Sequence, residues 1–395
     1  MVKERDNVTA QDVAQRAGVS QSAVSRVFTP GASVSKKMAE KVRRAADELG
    51  YRTNVLARSL ITGRSHLIGL IVAHLENYFY PEVLEKLSNA LQDEGYRVLV
   101  FMAQQSAENI DDVLAEILDH QVEGLVMASV TMSSELAARC QAAGVPVVLI
   151  NRSQDDDRLS AVTSDNFAGG RKLAEFLIAG GHEHFGYIAG WEGASTQRDR
   201  EAGFRAGLRQ AGLDIHSREV GNYRVEAAQE AARRMFARGD HPDAVFVASD
   251  HMTFAVMDVL RVELSIRVPE DVSVVGYDDV PPAAWPTYNL TTVRQPANRM
   301  VSETVRTMLN QIEDSTAKPH RIAFDGSLIV RGSARVPEGW FEWKGSIRYS
   351  RTSPTTSLAL PMKSGKSAKS KPCINTTPRT FSCARPLVSS RAIGM

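Results

Sequence analysis

Three cysteines in 395 residues, Cys140, Cys373 and Cys383, are too few and too scattered for a disulfide framework or a thiolate zinc site. Long apolar runs are missing too. No stretch of about eighteen apolar residues occurs, so no membrane span is expected. The opening MVKERDNVTA has no apolar core of a secretory signal. These absences point to a cytoplasmic chain. Catalytic signatures are lacking as well: there is no G-x-S-x-G elbow, no H-E-x-x-H and no G-x-x-x-x-G-K-[ST]. His182-Glu183-His184 looks like a metal tract, but it follows two glycines in a turn and has no distant partner. Neither an enzyme nor a cofactor or metal is expected.

What the sequence does contain is charge, unevenly spread. The whole chain sums to +1, yet residues 1–64 carry a surplus of six basic groups and residues 340–395 a surplus of nine, which leaves the middle near −14. A basic head on an acidic body suits a chain that presents one end to a polyanion. A solvated basic helix is the plainer alternative. With 43% hydrophobic residues, the chain can build two or three cored domains.

The head reads as three helices. Thr9 with Asp12 three places on gives a helix start close to a capping box. Val13, Ala14 and Ala17 share one face, Gly18 ends that helix and Ser20 caps the next. The second helix turns Val24, Val27 and Phe28 inward and leaves Gln21, Ser22, Ser25 and Arg26 outward. Ser35 starts a third, with Met38, Val42, Ala45 and Leu49 at apolar spacing. Two short helices joined by a tight Gly-containing turn and packed on a third form a helix-turn-helix unit. Its second helix would offer Gln21 to adenine and Arg26 to guanine in the major groove of duplex DNA. A small bundle with a polar face is the competing reading.

NVLARSL, residues 54–60, is too short to hold a helix alone in water. A helix marginal by itself can fold on DNA beside a partner chain. Leu60 could then wedge between base steps in the minor groove, or Leu56 and Leu60 could simply pack on the following domain.

TAQDVAQRAGVSQSAVSRVF, ELGYRTNVLARSL and TGRSHLIGLIV strongly resemble the lactose-repressor (LacI/GalR) family of bacterial transcription regulators. The resemblance spans about residues 8 to 336. It implies that NVLARSL is a hinge helix, with Asn54, Ala57 and Leu60 at the minor groove. Thr53 stands where that family usually has proline, and Ala23 where it usually has threonine, which removes a possible phosphate contact.

From His66 onward, short Val/Ile/Leu-rich runs (LIGLIVA, YRVLVFMA, GLVMAS, PVVLI, HFGYIAG, DAVFVAS, VSVVGYDD) alternate with amphipathic stretches. This is an α/β pattern of doubly wound parallel sheets, too long for one sheet and so read as two lobes. Ligands in such sheets bind past the carboxyl ends of strands. The residues found there are His74, Phe79, Tyr80, Arg152, Thr196, Arg200, Tyr223, Ser249 and Asp278. Aromatic faces, arginines and a carboxylate converging on a cleft suit a small polyhydroxylated or anionic molecule. The resemblance implies that Arg200 and Asp278 bind effector, and that Phe79, Tyr80, Thr196 and Tyr223 line the pocket. Ser249 departs from the family's usual asparagine and can make fewer hydrogen bonds. Arg152 and Arg200 with His74 hint at a sugar acid in place of a neutral sugar.

The expected organisation is a helix-turn-helix domain at 1–52 and a hinge helix with its linker at 53–64. A two-lobed periplasmic-binding-protein-like domain for effector and dimerisation follows at 65–337, with lobe crossovers near 163–166, 291–295 and 324–327. A basic tail at 338–395 completes the chain. The expected function is a repressor that binds a near-palindromic operator as a homodimer under control of a sugar or sugar acid. The alternative is a periplasmic-type sugar-binding protein. The tail is rich in Ser, Lys, Pro and Arg and reads as disordered, either an additional DNA-binding arm or, the favoured reading, sequence without a selected role.

Overall fold

The computed structural model describes residues 8–29, 31–52, 64–73, 75–102, 113, 116–130, 132–237 and 239–340. The hinge segment with Thr53, Asn54, Ala57 and Leu60, the candidate His74, and the tail from residue 341 lie outside the described residues.

The head folds as its caps dictate. The Thr9 hydroxyl accepts from the Asp12 N–H while the Asp12 carboxylate accepts from the Thr9 N–H, a reciprocal box that starts α1 (Ala10–Ala17). Gly18 closes that helix in the left-handed region at φ 57. Ser20 and Ser35 cap α2 (Gln21–Val27) and α3 (Lys36–Leu49) by accepting from the N–H groups of Ala23 and Met38. Val13, Ala14, Ala17, Val24, Val42, Ala45 and Ala46 form the core. Met38, expected inside, is 37% exposed. It sits in the first turn of α3, and the core begins a turn later at Val42. Ala23 is buried against the head, so this position faces the head's own packing and not a phosphate.

The body holds two six-stranded sheets. The first runs in the order β2 (Arg97–Met102), β1 (Leu67–Val72), β3 (Gly124–Ala128), β4 (Val147–Ile150), β5 (Ser160–Ser164), β11 (Arg321–Phe324), all parallel. The second runs β7 (Ile215–Val220), β6 (Phe185–Ala189), β8 (Ala244–Val247), β9 (Ser273–Asp278), β10 (Thr291–Arg294), β12 (Ser327–Ile329), parallel except for antiparallel β12. Central strands β3 and β6 are buried along their whole length, as sheets covered on both faces require. The edge strand β7 is only half-buried and reads IHSREV. For that reason its sequence lacks the apolar run that marks the others.

Helices α4 (Phe79–Asp93), α5 (Ser134–Ala142) and α10 (Ala297–Glu313) belong to the first sheet, where α10 packs on α4, β4 and β5. The second sheet carries α6 (Asn166–Ala179), α7 (Ser195–Gln210), α8 (Val225–Phe236) and α9 (Asp250–Asp258). The chain passes between the sheets three times, from β5 into α6, from β10 into α10 and from β11 into β12. Gly170 and Gly203 let α6 and α7 meet backbone to backbone: a Cβ on either would stand 2.1 Å from the Arg200 carbonyl oxygen or 2.0 Å from that of Phe167. Trp340, assigned by sequence to the tail, packs edge-on against Phe176 at 5.0 Å. Among the described residues no helix is long and apolar enough to cross a membrane.

Candidate functional site

The carboxyl ends of both sheets face a shared, narrow cleft, open to solvent at its mouth. The first lobe contributes Asn77, Tyr80, Ser129, Asn151 and Arg152, with Glu76 exposed beside them. The second contributes Thr196, Arg200, Tyr223, His251 and Asp278. Ser129, Asn151, Tyr223 and Asp278 hold φ values of 69, 73, 57 and 129°. Non-glycine residues seldom adopt this region, and such strain concentrates at binding sites.

The second lobe supplies a saturated floor. Arg200 is buried and donates from Nε to Asn166 Oδ1 (2.9 Å), from Nη1 to the Ala248 carbonyl and from Nη2 to Asp278 Oδ1 (3.2 Å). Its guanidinium lies 3.7 Å from the centre of the Tyr277 ring. Asp278 also accepts from Gln295 Nε2 (2.7 Å) and, across the cleft, from Asn77 Nδ2 (3.5 Å). Burial raises the Asp278 pKa, and the Arg200 charge opposes that rise. Beneath it, Asp250 accepts from Thr292 Oγ1 and from the Val280 N–H. Burial, then the charge of Asp278, pushes Asp250 up to about 8.

The first lobe is different. Arg152 is 4% exposed. Its Nη1 donates to the Ser129 carbonyl (2.6 Å), while its Nε has no acceptor among the described residues. The rings of Trp191 and Tyr223 lie 5.6 and 5.9 Å from it. Asn151 Nδ2 donates to the Tyr80 hydroxyl (2.9 Å), leaving Asn151 Oδ1 and Ser129 Oγ buried without partners. His251 Nε2 lies 2.9 Å from the Tyr223 carbonyl and must carry the hydrogen, so Nδ1 accepts from Ser249 Oγ (3.1 Å). Burial holds the His251 pKa below its ordinary value.

Of the nine residues singled out by sequence, Tyr80, Arg152, Thr196, Arg200, Tyr223 and Asp278 line the cleft. Phe79 does not. It packs in the core, edge-on to Tyr80, because successive helical residues point about 100° apart and cannot both face one wall. Ser249 is fully buried behind His251 and reaches the cleft only through that imidazole. Asn77, Ser129 and His251 were missed, and Asn151, which follows PVVLI directly before Arg152, was not among the nine. Asn151 directly precedes Arg152 and His251 lies two residues after Ser249, and that closeness to residues following a strand was the available signal. In the HEH tract, His182 lies beside Asp243 and His184 is edge-on to His216. In the head, Gln21, Ser22, Ser25 and Arg26 all stand exposed on the outer face of α2.

Residues 9–54 match the family described as bacterial regulatory proteins, lacI family, and residues 174–334 match a periplasmic binding protein-like domain. The HTH-type transcriptional regulator CelR of Thermobifida fusca is 32% identical over 341 residues, which cover 84% of this chain and 100% of that relative. The solved CelR–cellobiose complex superposes with a TM-score of 0.64 at 31% identity, over 83% of this chain and 100% of the other. The lac repressor dimer bound to operator and the anti-inducer ONPF gives 0.76 at 28%, over 83% and 99%. The chain belongs to the lacI family of bacterial regulatory proteins and is a DNA-binding transcriptional regulator.

Proposed function

We propose that this regulator is a repressor, active as a homodimer, whose affinity for a near-palindromic operator is set by a small sugar or sugar acid bound between the lobes. The observation that carries this reading is the presence in one chain of an exposed polar face on α2 and a buried polar cleft at the carboxyl ends of two sheets. A cellobiose complex of one relative and an operator-bound dimer of another support it. Gln21, Ser22, Ser25 and Arg26 read bases and phosphates in the major groove, and Asn54, Ala57 and Leu60 engage the minor groove between paired half-sites. Tyr80, Arg152, Thr196, Arg200, Tyr223 and Asp278 hold the effector. Residues 1–52 form the reading head, 53–64 the hinge and 65–337 the effector and dimerisation module. The chain acts in the cytoplasm by binding alone, without catalysis. Effector closes the lobes about their three crossings and so shifts the paired hinges, which couples effector and DNA affinity reciprocally by about 1–3 kcal/mol.

Selection from a random DNA pool with purified protein at fixed salt tests this. The expected product is an inverted repeat with a kinkable central pyrimidine–purine step, bound with a steep salt dependence. A folded protein that enriches no sequence would overturn the DNA-reading half.

A further inference from the structure

We propose that the effector is an acid whose carboxylate seats on Arg152, an inference that rests on reading the cleft as the effector site. The two cleft arginines are not equivalent. Arg200 already has Asp278, Asn166 and the Ala248 carbonyl as partners. Arg152 is as buried but has one carbonyl and two aromatic rings. Among the described residues no carboxylate pairs with it: Glu76 lines the same cleft, exposed, and forms no ion pair with Arg152.

A buried guanidinium without an anion is an expensive arrangement, because desolvation is not offset by a counter-charge. With Nη1 occupied by the Ser129 carbonyl, the side-on edge of Nε and Nη2 is left for a ligand. That edge matches a carboxylate in a two-pronged contact. Trp191 and Tyr223 beside the guanidinium shield it from water, which strengthens any charged contact made there. The neighbouring groups complete the pattern. Asn151 Oδ1 and Ser129 Oγ, both buried and unpartnered among the described residues, belong to residues lining the same cleft and would take hydroxyls of the same ligand. The opposite wall needs no further negative charge, since Arg200 and Asp278 neutralise each other. A charged seat on Arg152 with hydroxyl-binding groups in the same cleft makes a sugar acid the matching class.

The test uses the full chain with paired probes: D-glucose against D-gluconate and D-glucuronate, and D-galactose against D-galactonate and D-galacturonate, by thermal melting and then calorimetry. The tightest acid is compared with its own amide, on the wild type, R152Q and R152K. We expect the acids to bind at least about 10-fold tighter than the matching neutral sugars, as charge-assisted contacts are stronger than neutral ones. Converting acid to amide should weaken binding about 10- to 100-fold in the wild type. The same conversion should matter less than about 3-fold in R152Q, with R152K in between. The acid–amide comparison on the wild type stands even if R152Q folds poorly.

Neutral sugars that bind as tightly as acids, or a panel in which no acid binds, overturn the proposal. So does an R152Q that loses acid and amide equally, since Arg152 would then hold the cleft's shape and not a carboxylate. A neutral sugar that binds and shifts operator affinity sinks the acid inference and leaves the effector reading intact. A selected operator whose binding no cleft substitution or probe affects sinks the effector reading itself.

Discussion

On α2 the polar side chains face water: Gln21, Ser22, Ser25 and Arg26 are exposed and stand on the far side of the head from its alanine and valine core. In the cleft, groups of the same chemistry are buried, and Arg200 and Asp278 are bonded to each other before any ligand arrives. Water does the work of satisfying the first set, so those residues can be changed without disturbing the fold. The protein itself satisfies the Arg200–Asp278 floor, so there the recognition surface and the fold are the same atoms. A regulator of this kind can therefore vary its DNA sequence preference more freely than the floor of its effector site.

The strongest way to break this contrast is to remove Asp278. Asp278→Ala leaves the Arg200 guanidinium buried without its counter-charge, and stability in urea should fall by about 3–5 kcal/mol. A loss below about 1 kcal/mol would mean that the floor is not the saturated unit described. Arg26→Ala should act the other way round. Affinity for the selected operator should weaken by about 1–3 kcal/mol, with relaxed preference at one base. Its urea midpoint should move by no more than about 0.5 kcal/mol in stability. Coupled loss of both quantities would erase the distinction between the two regions.

The third effect is graded, not all-or-none, and concerns pH. Asp250 ionises near 3.9 when unfolded, but burial and then Asp278 raise it to about 8 in the fold. Across that window the folded chain keeps a proton that the unfolded chain has released. Stability therefore falls as pH rises toward 8, at up to about 1.4 kcal/mol per unit. The stability of the wild type relative to D250N should decline between pH 5 and 8. The lowered pKa of His251 acts with opposite sign near neutrality, but both proteins share it and the difference removes it. A flat difference across the window would show that Asp250 is ionised in the fold.

The head was legible because its information is local. Thr9, Gly18, Ser20 and Ser35 each act within a few residues of themselves, and helical spacing alone separates Val13 and Val24 from Gln21 and Arg26. Met38 failed because spacing says which side of α3 a residue faces, not how far the neighbouring helices reach along it. Buried strands were legible through their apolar runs, and β7 was not, since an edge strand has less to bury. In the cleft, position after a strand marked Arg152, Arg200 and Asp278 as converging, but pairing across the molecule decides what each is free to do. The contacts of Arg200 with Asn166 and Asp278 bridge 34 and 78 residues, and nothing in the order of residues distinguishes it from Arg152. Phe79 and Ser249 show the same limit at shorter range: each neighbours a wall residue, Tyr80 or His251 by way of Asp250, while facing away from the cleft itself.

Gly170 and Gly203 hold α6 and α7 with their backbones touching, and rods in such contact cannot slide past one another without collision. The pair is a single lever. At one point on it is Arg200, lining the cleft; at its end is Asn166, bonded to Arg200 and the first residue of α6, two places after β5 ends. Any pull on the guanidinium is thus delivered, without slack, to one of the three strings that tie the lobes together.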